Sequence, residues 1–561
     1  MVGWIPADMT DAAPADVTYA RPMSADPDDQ LSGTMPEGVR DPVADPSGGY
    51  ALDPAVVRRL TGRLSASADP VTTYCPFDGK PIGSVPQSTH ADVAGAFRRA
   101  GAAQARWART PLDERQAVLL RLHDLVLDRL PEISDLVCRE SGKARKDAYD
   151  EVLHVALTAR YYGRTAKEHL RTRRVAGAVP GVTRVEVNRV PKGVVGIIAP
   201  WNYPFTLALS DGLPALLAGN AVVTKPDAQT VLSALLGAQL LEEAGCPTDL
   251  WQVVAGAGVD IGPEVVDRAD YVCFTGSTAT GREVARRCAD RPVGCSLELG
   301  GKNPMLVLRD ADLTRAVEGA VRASYSSAGQ LCVSTERLFV ADQVYDRFLR
   351  RFVARVRAMR LRSGLAWGSD MGTLVSQRQL DRTVAHVEDA RRKGARVLAG
   401  GRARPDLGPF FYEPTVLEGV TPDMACFSEE TFGPVVSVYR FTDESEAVAR
   451  ANDGDYGLNA SIYSRDGARA RSLARQIRCG SVNVNEGFAA TFASIDAPMG
   501  GMRQSGVGRR QGAEGIWRYT ELQSVATQRL LGFGPVLGLR DEVHARVITA
   551  QLRLLKLLGR R

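Results

Sequence analysis

The chain has 561 residues, of which 44% are hydrophobic and 24% charged. That balance excludes a wholly disordered chain, a collagen-like fibre and a small disulfide-stapled scaffold. With 70 Lys and Arg against 65 Asp and Glu, the net charge of +5 is too small at this length to point to nucleic acid as a partner.

The first fifty residues stand apart. They hold nine acidic residues, two arginines and seven prolines with few large aliphatics, too little apolar surface to offset the entropy of ordering. A disordered acidic, Pro-rich tail is expected over 1–50, with the globular part beginning near Leu52. The opening residues lack a basic start and a long apolar run, and no stretch reaches about 18 apolar residues. The nine cysteines, an odd number without a C-x-x-C pair, offer no metal site and no secreted disulfide framework. Reduced thiols and a cytoplasmic location are expected.

Helical periodicity covers Ala91–Trp107 and then Leu112–Cys138, where Leu119, Leu122, Leu125 and Leu130 recur near a 3.6-residue period. From Val185 short apolar runs (Val194–Ala199, Ala221–Thr224, Trp251–Val254, Tyr271–Phe274) alternate with helical stretches such as Val231–Ala244 and Thr278–Cys288. Strands alternating with helices predict parallel β-α-β units in a doubly wound sheet. A second alternating region runs from about Pro304 to Val482, and no fixed-period repeat is visible.

The residues able to carry chemistry lie at the ends of these units. Pro200 and Pro204 bracket Trp201-Asn202 at a strand end, where α/β folds build sites, and the Asn202 amide could donate to a developing oxyanion. Gly256-Ala-Gly258 with Gly262 departs from the G-x-G-x-x-G spacing. Phe274-Thr-Gly-Ser-Thr278 is better placed, a strand–turn–helix junction whose N–H groups would face a pyrophosphate. Glu298, in Leu297-Glu-Leu-Gly-Gly-Lys-Asn303, is a candidate general base. Cys332, in a small-residue segment, needs an electropositive or helix-N-terminal setting before its thiol reacts readily; a lone cysteine or loop glutamate is ordinarily structural. At the C-terminal end Ile548, Leu552, Leu555 and Leu558 recur at helical spacing among basic residues. Such a basic amphipathic helix, within 530–561, packs on protein more often than it lies on an anionic membrane surface.

Taken in order, Pro200-Trp-Asn-Tyr-Pro204, Thr224-Lys-Pro226, Phe274-Thr-Gly-Ser277, Leu297-Glu-Leu-Gly-Gly-Lys302, Gly329-Gln-x-Cys332 (Gln330, then Leu331) and Glu429-Glu-Thr-Phe-Gly-Pro434 resemble the aldehyde dehydrogenase superfamily over about residues 55–530. Gly301-Lys-Asn-Pro-Met305, Tyr456-Gly-Leu-Asn-Ala460 and Ala497-Pro-Met-Gly-Gly-Met502 look most like the actinobacterial branch named as second NADP-type succinate-semialdehyde dehydrogenases.

The resemblance implies an α/β fold with a Rossmann-type NAD(P)-binding domain over 55–297, interrupted near 183–190 by an oligomerisation segment. It also implies a catalytic domain over 298–480 and an oligomerisation strand region over 481–525. It makes Cys332 the nucleophile, Asn202 with the Cys332 N–H the oxyanion site, and Glu298 the base that hydrolyses a thioester, with a free acid as product. Trp201, Lys225, Ala228, Gly276, Ser277, Leu299, Glu430 and Phe432 become the cofactor residues. Ala228 stands where NAD-preferring relatives often carry a glutamate that would repel a 2′-phosphate, so NADP is expected, with NAD possible. The resemblance also implies a homodimer or homotetramer. At the substrate end, arginines that grip a carboxylate in better-characterised succinate-semialdehyde enzymes are replaced by Ser210 and Ser326, while Phe488, Phe492 and Met499 are candidates for a more apolar lining. A longer-chain or aromatic aldehyde is therefore the alternative substrate. A catalytically silent homologue is disfavoured by the intact Cys332, Glu298 and Asn202.

Overall fold

The computed structural model describes residues 49–178, 182–529, 532, 534, 535 and 538–559. The acidic tail expected over 1–50 lies, apart from its last two residues, outside the described residues.

Two twisted sheets position everything that follows. The first has the spatial order Gly506–Val507, Gly294–Glu298, Tyr271–Thr275, Val194–Ile198, Ala221–Lys225, Trp251–Val253. All neighbours are parallel except the Gly506–Val507 edge. Its central strands, Val194–Ile198 and Ala221–Lys225, are near-continuous apolar runs because helices cover both faces of a parallel sheet. The chain order reverses between Val194–Ile198 and Tyr271–Thr275, the kind of switch point beside which α/β sheets bind ligands at their carboxyl ends. Trp201-Asn202 leaves one of these two strands and Gly276-Ser277 the other.

The second sheet runs Arg396–Ala399, Thr415–Glu418, Val435–Phe441, Thr335–Ala341, Asn303–Val307, Asn459–Tyr463, Ser481–Val484, with only Arg396–Ala399 antiparallel. Two large hydrophobic clusters fill the protein, one under each sheet. The chain crosses between the sheets in four residues, from Glu298 at the end of one strand to Asn303 at the start of the next. A third, antiparallel sheet pairs Thr183–Pro191 with Thr520–Gln528 on one side and Arg173–Val175 on the other.

Two sequence readings resolve into finer elements. The single helix read over Leu112–Cys138 is two, Leu112–Asp128 and Leu130–Ser141. Arg129 leaves the helical region at φ −104°, ψ 19°, and Pro131, which has no N–H to give, sits in the first turn of the second helix as proline prefers. The strand region read over 481–525 is divided among the three sheets: Ser481–Val484 ends the second, Gly506–Val507 edges the first, and Thr520–Gln528 belongs to the third. The C-terminal helix spans Asp541–Leu557 with no buried residue; Arg560 and Arg561 lie outside the described residues. Among the described residues no helix is long and apolar enough to cross a membrane.

Candidate active site

Cys332 is held by a strained loop. Ser327 and Ala328 take left-handed φ of 50° and 56°, followed by Gly329 at 72°, a conformation that side-chain-bearing residues keep only when their surroundings over-determine it. The surroundings here do so. The Ser327 N–H donates to Asp147 Oδ2 (3.0 Å), Gln330 Oε1 accepts from the Val375 N–H (3.0 Å), and the Cys332 carbonyl accepts from Asn303 Nδ2 (2.7 Å). Gly329 passes so close to the loop of Phe432-Gly433-Pro434 that a Cβ would lie 2.1 Å from the Gly433 oxygen. That neighbouring loop is fixed by Glu336, which accepts from the N–H groups of Thr431 (2.9 Å) and Phe432 (3.0 Å) and is paired with Lys302.

Asn202 follows the strand Val194–Ile198 and reaches the same place. Its Nδ2 donates to the Gln330 carbonyl (2.9 Å), which leaves a second amide N–H on the same nitrogen. The Asn202 carbonyl accepts from Lys143 Nζ (2.7 Å), and Lys143 is itself paired with Glu151 (2.5 Å) and stacked 3.8 Å over the Tyr203 ring. Glu151 completes the brace by accepting from the N–H groups of Phe205 (2.7 Å) and Thr206 (3.1 Å). The backbone of the Pro200–Pro204 turn is thus clamped from below by a buried ion pair.

Glu298 ends its strand buried, and burial pushes its carboxyl up to about 7 against the lowering pull of Arg510. Arg510 Nε is 3.9 Å from Glu298 Oε1. Arg510 also donates to Asp211 (3.1 Å) and to Thr275 Oγ1 (3.0 Å), and Arg518 takes the other oxygen of Asp211 at 2.7 Å. Burial opposes ionisation of Asp211, yet the two guanidiniums hold its carboxyl below the ordinary value. The Cys332 thiol is pushed up to about 12, by burial first; Arg510 lowers it, and Glu298 and Glu430 raise it further. A thiol so placed is protonated at neutral pH, and a neighbouring carboxylate titrating near 7 is a fitting acceptor for its proton.

The predicted cofactor residues gather at the carboxyl end of the first sheet. Trp201 and Phe432 meet edge to face, with centroids 5.6 Å apart. Gly276 lies where a Cβ would meet the Phe274 ring at 2.6 Å, and its N–H donates to the Glu298 carbonyl (3.1 Å). Ser277, exposed, caps the helix Thr278–Asp290 by accepting from the Thr280 N–H. Its hydroxyl therefore serves that cap, and the open backbone N–H groups are what remain for an anion. Lys225 is buried, its pKa lowered by burial, and donates to a backbone carbonyl, that of Pro226 (2.7 Å). Ala228 is exposed, and Asp227 spends a carboxylate oxygen on the Gln229 N–H (3.0 Å). Leu299 is buried with its N–H on the Ser505 carbonyl (2.9 Å). Glu430 accepts from the Gly301 N–H (2.8 Å) and crowds Gly300, where a Cβ would fall 2.4 Å from Oε2. Burial, then Glu336, push its carboxyl up to about 8. A glycine-floored turn at a helix start, a buried lysine bonded to a backbone carbonyl and an aromatic pair fit a dinucleotide.

The substrate-end residues carry no charge. Ser210 Oγ lies 3.3 Å from His154 Nδ1, the His154 ring stacks on Phe492 at 4.2 Å, and Tyr203 meets Phe492 edge to face at 6.3 Å. Ser326 follows the helix Leu313–Tyr325, and Phe488 and Met499 are buried. Sequence reasoning missed Arg510, Asp211, Arg518, His154 and Lys143. The available signal was charge where none is cheap: Asp211 interrupts an apolar run, and Arg510 follows a glycine-rich turn.

Against known proteins, the profile of the Aldehyde dehydrogenase family matches residues 64–525. A Mycolicibacterium smegmatis protein named "Putative succinate-semialdehyde dehydrogenase (NADP(+))" is 50% identical over 485 residues, covering 86% of this chain and 94% of its own. A Mycobacterium tuberculosis protein of the same name, numbered 2, is 47% identical over 508 residues, covering 90% and 97%. Among solved structures, an aldehyde dehydrogenase from Brucella melitensis biovar abortus superposes with a TM-score of 0.81 at 34% identity, covering 86% of this chain and 99% of that one.

Proposed function

The chain belongs to the aldehyde dehydrogenase family, and from that premise we propose that it oxidises succinate semialdehyde to succinate with NADP. The observation that carries the reading is the convergence of Cys332, Asn202 and Glu298 where the two sheets join. Cys332 gives its proton to Glu298, and the thiolate adds to the aldehyde carbon. Asn202 Nδ2 and the Cys332 backbone N–H share the oxygen's negative charge. A bound nicotinamide would supply the hydride acceptor needed between this adduct and the thioester on Cys332. Glu298 passes the thiol's proton to solvent and, a carboxylate again, takes a proton from water; the water oxygen attacks the thioester carbon, and the C–S bond breaks to release the acid and restore the thiolate.

Trp201, Gly276, Ser277 and Leu299 would hold the dinucleotide's phosphates and adjoining groups, Lys225 its adenine ribose, and Glu430 with Phe432 its nicotinamide ribose. The exposed Ala228 and the engaged Asp227 support room for a 2′-phosphate, and the relatives' names support NADP. The test is reduced-nicotinamide formation with succinate semialdehyde, NADP and NAD side by side, and a medium-chain aldehyde as comparator. A kcat/KM about tenfold above the others, roughly 1.4 kcal/mol, is expected for succinate semialdehyde with NADP. The neutral Ser210 and Ser326 and the Tyr203–Phe492–His154 aromatic wall favour a second reading, a longer or aromatic aldehyde, and a win for the comparator would establish it.

Two further proposals concern assembly and place. Thr520–Gln528 is an edge strand exposing Leu522 and Val525, which supports pairing in a homodimer or homotetramer. Reduced-thiol chemistry supports the cytoplasm. For the exposed C-terminal helix our reading is contact with a sister subunit; vesicle sedimentation with and without it tests a membrane surface instead.

A further inference from the structure

Glu298 Oε1 and Arg510 Nε are both buried, both without a hydrogen-bond partner among the described residues, and face each other at 3.9 Å. Arg510 is not free to leave: Asp211 and Thr275 hold its other end, and Arg518 holds Asp211. The result is a buried row of alternating charge, Glu298–Arg510–Asp211–Arg518, with its negative head at the nucleophile. We infer that Arg510 is the positioning residue of the deacylation step, a fixed guanidinium that keeps Glu298 in its charged, proton-accepting form inside a water-poor site. The inference rests on Cys332 and Glu298 acting as proposed above.

The electrostatics give it a sign. Groups that act on Glu298 are Arg510, Arg518 and Arg509, which favour its charge, and Asp211, which opposes it. Cys332 feels both Glu298 and Arg510, and His154, its own pKa lowered to about 3 by burial and then by Arg510, stands neutral beside the row. Even with Arg510 present, burial leaves the Glu298 carboxyl at about 7. An opposite charge within about 4–6 Å is worth roughly one to three pH units to a carboxylate. Without Arg510 the base would be protonated at neutral pH. Asp211 works both ways, anchoring the guanidinium while drawing on its charge. Replacing the two residues should therefore move the site in opposite directions, which a residue acting only through packing would not do.

The test needs neither cofactor nor the natural substrate. Cys332 of the full-length protein is acetylated with p-nitrophenyl acetate: Sγ attacks the ester carbon and nitrophenolate leaves. Loss of the acetyl group is followed by intact-protein mass spectrometry across pH. In this step water attacks, its proton goes to Glu298, and acetate and the thiolate are released; acylation also removes the thiol from the titration. The wild-type rate is expected to rise with pH through about 7, the value burial gives Glu298. Arg510→Gln should move that limb alkaline by about one unit or more, Arg510→Lys should hold it in place, and Asp211→Asn should move it acid. If Arg510→Gln fails to fold by circular dichroism, the Lys and Asn variants decide. An unmoved limb in Arg510→Gln overturns the inference, as does an acid limb that fails to move in Asp211→Asn or a shift in the same direction from both variants. If wild-type Cys332 takes up no acetyl, or a Cys332→Ser protein takes up as much, the nucleophile reading falls and this inference with it.

Discussion

Replacing Gly329 with alanine tests whether the nucleophile is placed by backbone contact. The new Cβ would sit 2.1 Å from the Gly433 oxygen, well inside the 3.4 Å at which ordinary contact begins, and Gly329 has φ +72°. The left-handed conformation alone costs an alanine about 1–2 kcal/mol, and overpacking against backbone adds about 1–3 kcal/mol. The Ser327–Gly329 loop and the Phe432–Pro434 loop must therefore separate by about an ångström, and they carry Cys332 on one side and Phe432 on the other. A displacement of that size at a reacting centre lowers rates on the order of a hundredfold. The expected outcome is a folded protein, destabilised by about 2–4 kcal/mol in denaturant titration. Its alkylation of Cys332 by iodoacetamide and its aldehyde turnover should both be strongly altered. Wild-type turnover and wild-type alkylation in Gly329→Ala would refute the claim that contact with Gly433 sets the thiol's position.

Three other perturbations have signed outcomes. Lys143→Met strands the buried Glu151 carboxylate and releases the Asn202 carbonyl; a loss of about 3–5 kcal/mol is expected in chemical unfolding, with a larger fall in kcat than in affinity for the aldehyde. Ala228→Glu introduces a carboxylate at the exposed start of the turn after Lys225, and steady-state kinetics should show NADP use falling by about tenfold or more while NAD use is kept. His154 has its pKa lowered from 6.5 to about 3, by burial first and then by Arg510. The unfolded chain therefore binds the extra proton throughout that window, and stability is lost as pH falls from about 6.5 towards about 3. A His154→Asn protein should show a flatter acid limb in unfolding free energy over the same range.

The parallel sheets were legible because each strand is a short apolar run closed by a turn, and the helix expected at Ala91 begins one residue earlier, at His90, where Thr89 and Asp92 form a capping box. Asn202, Glu298 and Cys332 were legible through their motifs alone. Thiol acidity would have misdirected the choice: the neighbouring Cys288 holds Cys295 below the ordinary thiol range, whereas burial pushes Cys332 up. What singles out Cys332 is the strained loop and its neighbours. Arg510 was not legible, because its partner Asp211 lies 299 residues away and no periodicity links them. The Gly506–Val507 strand has two residues and no pattern to detect.

Those long-range pairings also order events in time. At a synthesis rate of about 5–20 residues per second, Asp211 leaves the ribosome about 15–60 s before Arg510, which stands 299 positions later. Until then the pocket around Asp211 would enclose an acid without its counter-charge, and the strand ending in Glu298 has no Gly506–Val507 edge. The nascent chain up to Glu298 can build its helices and inner strands, but the base, its guanidinium and the edge of the sheet that carries them close together only once Gly506–Arg510 has been made.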